Sequence, residues 1–177
     1  MRSRAHMQRP VGTMLRMAAV IAALWLGGCQ FYSFTGASIP EHLSTVAVPL
    51  VEDASISTVT GMDDSLTELL MDRFVRQTRL SLEPDEAVAD ALLQARITRY
   101  ENRPTSVSGN EQATRNRVTI AVQVIYTDRV RSNELLNRSF SAFEEYDPEN
   151  PSEEETAAAN ALEKIADDIF TAATSNW

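Results

Sequence analysis

Leu26-Gly27-Gly28-Cys29 carries the clearest chemistry in this chain, because it ends an apolar run on the only cysteine of the sequence. Upstream stand Arg2, Arg4, Arg9 and Arg16 without one acidic residue, and Met17 to Leu26 supplies ten apolar residues in a row. A basic segment, a short apolar segment and small residues before a cut make a secretory signal. The pair Gly27-Gly28 directly before a cysteine narrows the reading to a bacterial lipoprotein signal. There the thiol takes a diacylglycerol and the freed amino group a third acyl chain. Cys29 is therefore expected to be a lipidated membrane anchor, and neither a disulfide partner nor a nucleophile. Ten apolar residues span about 15 Å as a helix, half of a bilayer core, so a stable transmembrane helix is not expected. Acyl chains hold a protein on a membrane without a span, at about 0.8 kcal/mol per buried CH₂. Gln30 follows the cysteine, and by analogy with proteobacterial sorting the absence of aspartate there favours the outer over the inner membrane.

Other reactive side chains are few. His42 is the only histidine after Cys29, and no GxSxG, HExxH, P-loop or dinucleotide fingerprint occurs. His42 follows Pro40-Glu41 in a turn-like stretch and reads as a surface histidine. Asp63-Asp64 reads as a helix cap and Glu144-Glu145 as a solvated strand end, although a metal site made only of carboxylates stays open. An envelope hydrolase would need a buried acidic pair in a cleft. No cofactor and no enzymatic activity are expected.

Cleavage before Cys29 leaves 149 of the 177 residues, the size of one domain with a proper core. Four of the 16 basic residues precede Cys29 and none of the 25 acidic ones does, so the remainder carries 12 basic against 25 acidic residues, a balance of −13. Phosphate backbones need clustered cations, so nucleic acid is excluded as the expected partner. A polybasic contact with anionic lipid is disfavoured on the same ground. With no second cysteine, the fold must stand on its core although its compartment is oxidising.

The elements that position these residues follow from periodicity. Phe31, Tyr32 and Phe34 mark an aromatic tether. Thr45 to Val51 alternates as a strand, and Pro49 points to an edge or a strand end. Asp63-Asp64-Ser65 starts a helix with Leu66, Leu69, Leu70 and Phe74 on one face, and Arg73, Arg76 and Arg79 complement its dipole. Leu82-Glu83-Pro84-Asp85 breaks it. Ala91, Leu93, Ala95 and Ile97 then share a face, and Asn102-Arg103-Pro104 is expected to end that strand before a polar stretch from Thr105 to Glu111. Val118, Ile120, Val122, Val124 and Tyr126 form the clearest strand, and Leu136 to Tyr146 the last. Ser152 and Glu155 have capping-box spacing. Ala158, Ala161, Leu162, Ile165, Ile169 and Ala172 give the final helix its stripe, expected to pack on the domain's own sheet. The expected fold is α+β, order β-α-β-β-β-α: a two-layer sandwich with two helices on one face of a four-stranded, mostly antiparallel sheet. The boundaries are a signal at 1–28, a lipidated tether at 29–44 and one domain at 45–177.

Tyr32-Ser33-Phe34-Thr35-Gly36-Ala37-Ser38-Ile39-Pro40, followed by Thr45-Val46-Ala47-Val48-Pro49, resembles the mature start of the lipopolysaccharide-assembly lipoproteins, the LptE family, in its divergent non-enterobacterial branch. Thr67-Glu68, Asp72-Arg73-Phe74, Asn116-Arg117-Val118-Thr119-Ile120, Phe140-Ser141-Ala142-Phe143-Glu144-Glu145-Tyr146 and the terminal helix are also similar. The resemblance implies a plug and assembly aid inside the outer-membrane β-barrel that delivers lipopolysaccharide to the cell surface, an LptD-like partner. It also implies contact with lipopolysaccharide itself, through basic residues near strand ends and hairpin tips. Arg96, Arg99, Arg103, Arg115 and Arg117 flank one expected hairpin and are the candidates. The alternative use of these five is pairing with the surplus of surface carboxylates. The alternative for the whole chain is an envelope lipoprotein that holds peptidoglycan or a soluble partner, since fold does not fix function.

Overall fold

Val118, Ile120, Val122, Val124 and Tyr126 are fully buried, and the strand that carries them organises the molecule. This strand, β5 in the numbering below, spans Arg115–Asp128 and is rich in β-branched residues, which suit a pleated surface with one buried face. The computed structural model describes residues 38–105, 115–150 and 152–175. The signal segment 1–28, Cys29 and the aromatic tether lie outside the described residues, as does the polar stretch from residue 106 to 114. Everything described belongs to the unit that begins at Gly36.

In chain order the elements are β1 (Thr45–Ala47), β2 (Glu52–Asp53), α1 (Met62–Met71) with a π-helical turn (Asp72–Arg76), β3 (Ser81–Leu82), β4 (Ala91–Thr105), β5, β6 (Asn133–Tyr146) and α2 (Ser152–Thr174). The sheet runs β3-β1-β4-β5-β6, with β2 alongside β4. The fold is α+β with two helices, as expected, but the sheet has six strands where four were expected. The long ladders β4–β5 and β5–β6 are antiparallel. The pairings β1–β3, β1–β4 and β2–β4 are parallel. Glu52-Asp53 and Ser81-Leu82 are too short and too polar to leave an alternating pattern, so only pairing with distant residues makes them strands. β1 stops at Ala47, before Pro49, which accords with a strand end.

Strand β4 also runs further than its sequence suggests. Asn102-Arg103-Pro104 does not end it, since pairing with β5 continues to Thr105↔Arg115. Proline lacks only a donor, and past Ile97 the other side of β4 has no strand neighbour among the described residues, so no ladder bond is lost there. Within β4 the register slips once: Ile97 pairs with Val122 and Arg99 with Ala121, which leaves Thr98 as a bulge residue. The bulge exchanges the two faces. Odd-numbered residues up to Ile97 point at the core, whereas beyond it Tyr100 and Asn102 take that side.

One face of the sheet is covered by the helices. Gly61, at φ +76°, turns the chain into α1, and Asp63 and Asp64 sit in the first turn, where the helix dipole favours them. Thr67 accepts the Val51 amide at 3.0 Å and so ties α1 to the loop before it. The π-helical turn sets Phe74 edge-on to Tyr126 and Phe170, each at 5.6 Å between ring centres. Helix α2 buries Ala157, Ala158, Ala161, Leu162, Ile165, Ala166, Ile169 and Ala173. Full burial of a Leu or Ile side chain contributes about 1.5–3 kcal/mol, so this stripe is a main source of cohesion between the layers. Ser152 donates to Asn150 at 2.8 Å instead of forming a capping box with Glu155. Ile39 and Leu43 are buried in the same core. No helix among the described residues is long and apolar enough to cross a membrane.

Candidate functional site

Because of the Thr98 bulge, Arg96, Arg99 and Arg103 all project from the sheet face opposite the helices. Arg115 and Arg117 of β5 project from that same face, since their even-numbered neighbours such as Val118 fill the core. Arg103 and Arg117 are cross-strand partners, and Arg115 lies opposite Thr105. These three gather at the end of the β4–β5 hairpin where the chain passes from β4 to β5. Arg96 pairs with Gln123, so it lies about 20 Å further down the strand, and Arg99 falls between. The five residues therefore share a face but do not form one cluster.

Two like charges opposite each other on a sheet are unfavourable, so the Arg103–Arg117 pair needs compensation. Glu101 supplies it for Arg103 at 3.2 Å, and Glu145 for Arg117 at 2.7 Å. The Arg117 guanidinium also lies over the Phe143 ring, 4.4 Å from its centre, a cation–π contact. Arg96 is engaged by Glu52 at 3.3 Å. Arg99 and Arg115 form no ion pair among the described residues. A cleft of about 290 Å³ lined by Glu101, Arg103, Pro104, Thr105, Arg117 and Thr119 opens at this end. A larger groove of about 800 Å³ between α1 and α2, lined by residues such as Leu69, Val75 and Glu163, holds none of the five arginines.

The opposite side of the same hairpin end is locked to α2. Glu154 accepts hydrogen bonds from Tyr100 at 2.6 Å, Thr58 at 3.1 Å and Tyr146 at 3.3 Å. Asn102 and Asn116 donate to the Tyr146 hydroxyl at 2.5 and 3.3 Å. The Tyr100 hydroxyl holds the Glu154 carboxyl below the ordinary range against the opposing effect of burial. Burial first, and then Glu154, push the Tyr100 hydroxyl upward. The exposed arginine row thus stands on a buttressed strand pair.

Sequence reasoning missed Phe143 and this Tyr–Asn–Glu network. Phe143 carried a signal: it lies three residues from the buried Phe140, an odd separation that must place the two rings on opposite faces. The network carried none, since its members come from four separate segments. Other candidates also resolve. His42 is not a plain surface residue; it is half-buried with Nε2 2.6 Å from Asp128. Burial would raise the Asp128 carboxyl, but hydrogen bonds from the Arg131 amide and His42 outweigh it and hold it below the usual range. Glu144 and Glu145 part company: Glu144 pairs with Lys164 on α2, and Glu145 with Arg117 on the open face. Arg73, expected to complement the dipole of its helix, is buried and bound to Asp167 at 2.6 Å. Asp128 is the only carboxylate among the buried residues described, and among them no group of three His, Cys, Asp or Glu is placed to hold a metal.

Solved structures share this fold. A Xanthomonas campestris protein of the DUF330 family superposes with a TM-score of 0.55 at 12% identity, over 78% of this chain and 92% of that one. Rare lipoprotein B from Shewanella oneidensis superposes with a TM-score of 0.50 at 15% identity, over 71% of this chain and 93% of that one. At such identities the likeness speaks for the fold alone. No curated protein matches the chain by sequence. The model of the LptE family, described as lipopolysaccharide-assembly, matches residues 43–173. That match runs from buried Leu43 through the bulged hairpin to the end of the α2 stripe, and the chain belongs to the LptE lipopolysaccharide-assembly family.

Proposed function

We propose that this protein is an outer-membrane lipoprotein that serves as plug and assembly factor of the β-barrel lipopolysaccharide translocon. The observation that carries the reading is the family match over residues 43–173. In this reading residues 1–28 are removed, acylated Cys29 holds the chain at the periplasmic face, and the segment expected as a tether over 29–44 leads into the domain, which already includes its buried Ile39 and Leu43. The domain then occupies the barrel lumen, whose lining in such barrels is polar. The open sheet face suits that setting, being hydrophilic apart from a few residues such as Phe143. No bond is made or broken by the domain.

Lipopolysaccharide phosphates would meet Arg103, Arg115 and Arg117 at the hairpin end, where arginine forks match paired oxygens. The acidic balance of −13 makes the location of these cations matter more than their number. Arg99 and Arg96 extend the same row toward the middle of the strand.

The test is mild detergent extraction after in-cell crosslinking. Co-purification with a large β-barrel protein is expected, and migration alone overturns the plug reading. Replacing Arg103, Arg115 and Arg117 together by glutamate should lower lipopolysaccharide retained by the purified protein by about tenfold while leaving barrel association intact. Unchanged retention would assign the arginines to surface ion pairing.

A further inference from the structure

The two margins of the sheet are built differently. On one side β3 is only two residues long, and β4, past its pairing with β2, runs into Pro104. Short strands and proline are usual means of blunting a sheet edge. On the other side stands β6, 14 residues with neither proline nor lysine. No strand adjoins its outer side among the described residues. From Leu136 to Tyr146 its pairing with β5 is unbroken, an edge about 34 Å long.

Which backbone groups of this edge face outward follows from two threonines of β4. The hydroxyls of Thr98 and Thr105 donate to the carbonyls of Ala121 and Arg115, at 3.2 and 2.9 Å. Odd-numbered carbonyls of β5 therefore point toward β4. In an antiparallel ladder the N–H and C=O of one residue point the same way, and the direction alternates along the strand. Even-numbered residues of β5 thus bond to β6, where Ile120 pairs with Ala142 and Val122 with Phe140. Ser139, Ser141 and Phe143 lie opposite odd-numbered residues and turn their backbone groups outward. All three are exposed. The side chains of Asn137 and Ser139 lean the other way, onto Gln123, and leave that row clear.

Two side chains give the edge a chemical preference. Arg138 shares the helix side with its partner Val124, lies 5.1 Å from the centre of the Phe140 ring and forms no ion pair among the described residues. Phe143 is 52% exposed on the open face. We propose that the outer edge of β6 takes an extended segment of another polypeptide as a seventh strand. The added strand runs antiparallel, as β4, β5 and β6 do, which is the slightly more stable pairing. It sets an apolar side chain beside Phe143 and, five residues later on the opposite face, a carboxylate beside Arg138. A second copy of this chain is the poorer occupant, since two domains with a balance of −13 repel each other. The site stands apart from the arginine row and from the plug reading. It is compatible with a barrel lumen: a closed wall has no free strand edge, so the segment there is a loop or a terminal extension.

The probe is a synthetic ten-residue peptide of threonine and serine, with one leucine and, five positions on, one glutamate. Added to the acylated protein in mild detergent, it should bind below about 1 mM. Binding should slow hydrogen exchange at the amides of Ser139, Ser141 and Phe143 and leave those of Phe140 and Ala142 unchanged. Two versions of the peptide, each N-methylated at alternate amides, separate strand addition from side-chain contact. Methyl groups on the amides that face β6 should lower affinity at least about tenfold, and methyl groups on the others should not. Arg138→Glu should weaken binding about fivefold, and lysine in place of the peptide's glutamate should restore it. Equal loss from both N-methylated peptides, or no binding, overturns the proposal. Protection of the three amides before any peptide is added overturns it too. Dependence of that protection on protein concentration would assign the edge to a second copy, and independence to a segment of the chain itself.

Discussion

Tyr126 carries the one side-chain polar atom among the described residues that is buried without a hydrogen-bond partner, its hydroxyl. Burial, and secondarily Asp128, push that hydroxyl's pKa upward, so it stays neutral. A buried donor with no partner works against stability by about 1–3 kcal/mol. The ring, by contrast, packs on Phe74 and is fully buried. Tyr126→Phe should therefore leave the thermal midpoint unchanged or raise it; a fall in the midpoint on calorimetry would show that the hydroxyl has a stabilising partner. The burial of Tyr126 was legible from strict alternation along β5. The state of its hydroxyl was not, because spacing along one strand says nothing about which polar atom arrives from elsewhere. The same holds for Arg73: its helix was legible, but its burial depends on Asp167, nearly a hundred residues away in the chain.

At the scale of elements, α2 and β5 were the most legible, since each has a long uninterrupted period. The short strands β2 and β3 and the continuation of β4 through Pro104 were not, because they exist through pairing and not through pattern. The junction of α2 with the β4–β5 hairpin gives an acid-dependent prediction. The Glu154 carboxyl lies below its ordinary value of 4.5 in the fold, so the folded state binds its proton later than the unfolded state does. The stability it adds is then complete above that ordinary value and is lost as pH falls through the folded one. Glu154→Gln should lower stability at neutral pH by about 1–2 kcal/mol. It should also flatten the decline as pH falls below the ordinary value of 4.5. Denaturant unfolding across that range measures both, and parallel curves for the two proteins would reject the assignment.

For the whole molecule, charge sets the expectation. The chain from Cys29 on carries 25 acidic against 12 basic residues, and such an excess destabilises a compact state through self-repulsion. The ion pairs on its surface are mostly exposed and each contributes about 0–1 kcal/mol, so screening should relieve more repulsion than it removes attraction. Raising ionic strength from about 0.05 to about 0.5 M should thus raise the thermal midpoint; a fall would mean that the pairs dominate. The layered α+β class was legible at this scale, and the single open face followed from it. That all five arginines occupy this face was not legible, because strict alternation carried on from Ile97 would have set Arg99 and Arg103 against the core. The residue responsible has a further consequence for how this fold tolerates gains and losses of chain length. Thr98 is supernumerary: remove it, and Ile97, Arg99 and Tyr100 spell an ordinary strand with every later side chain still on its present side. Deletion of Thr98 should therefore give a folded protein with the circular dichroism spectrum of the parent. Loss of a neighbour such as Gln94 from the same strand should transpose the two faces and abolish folding.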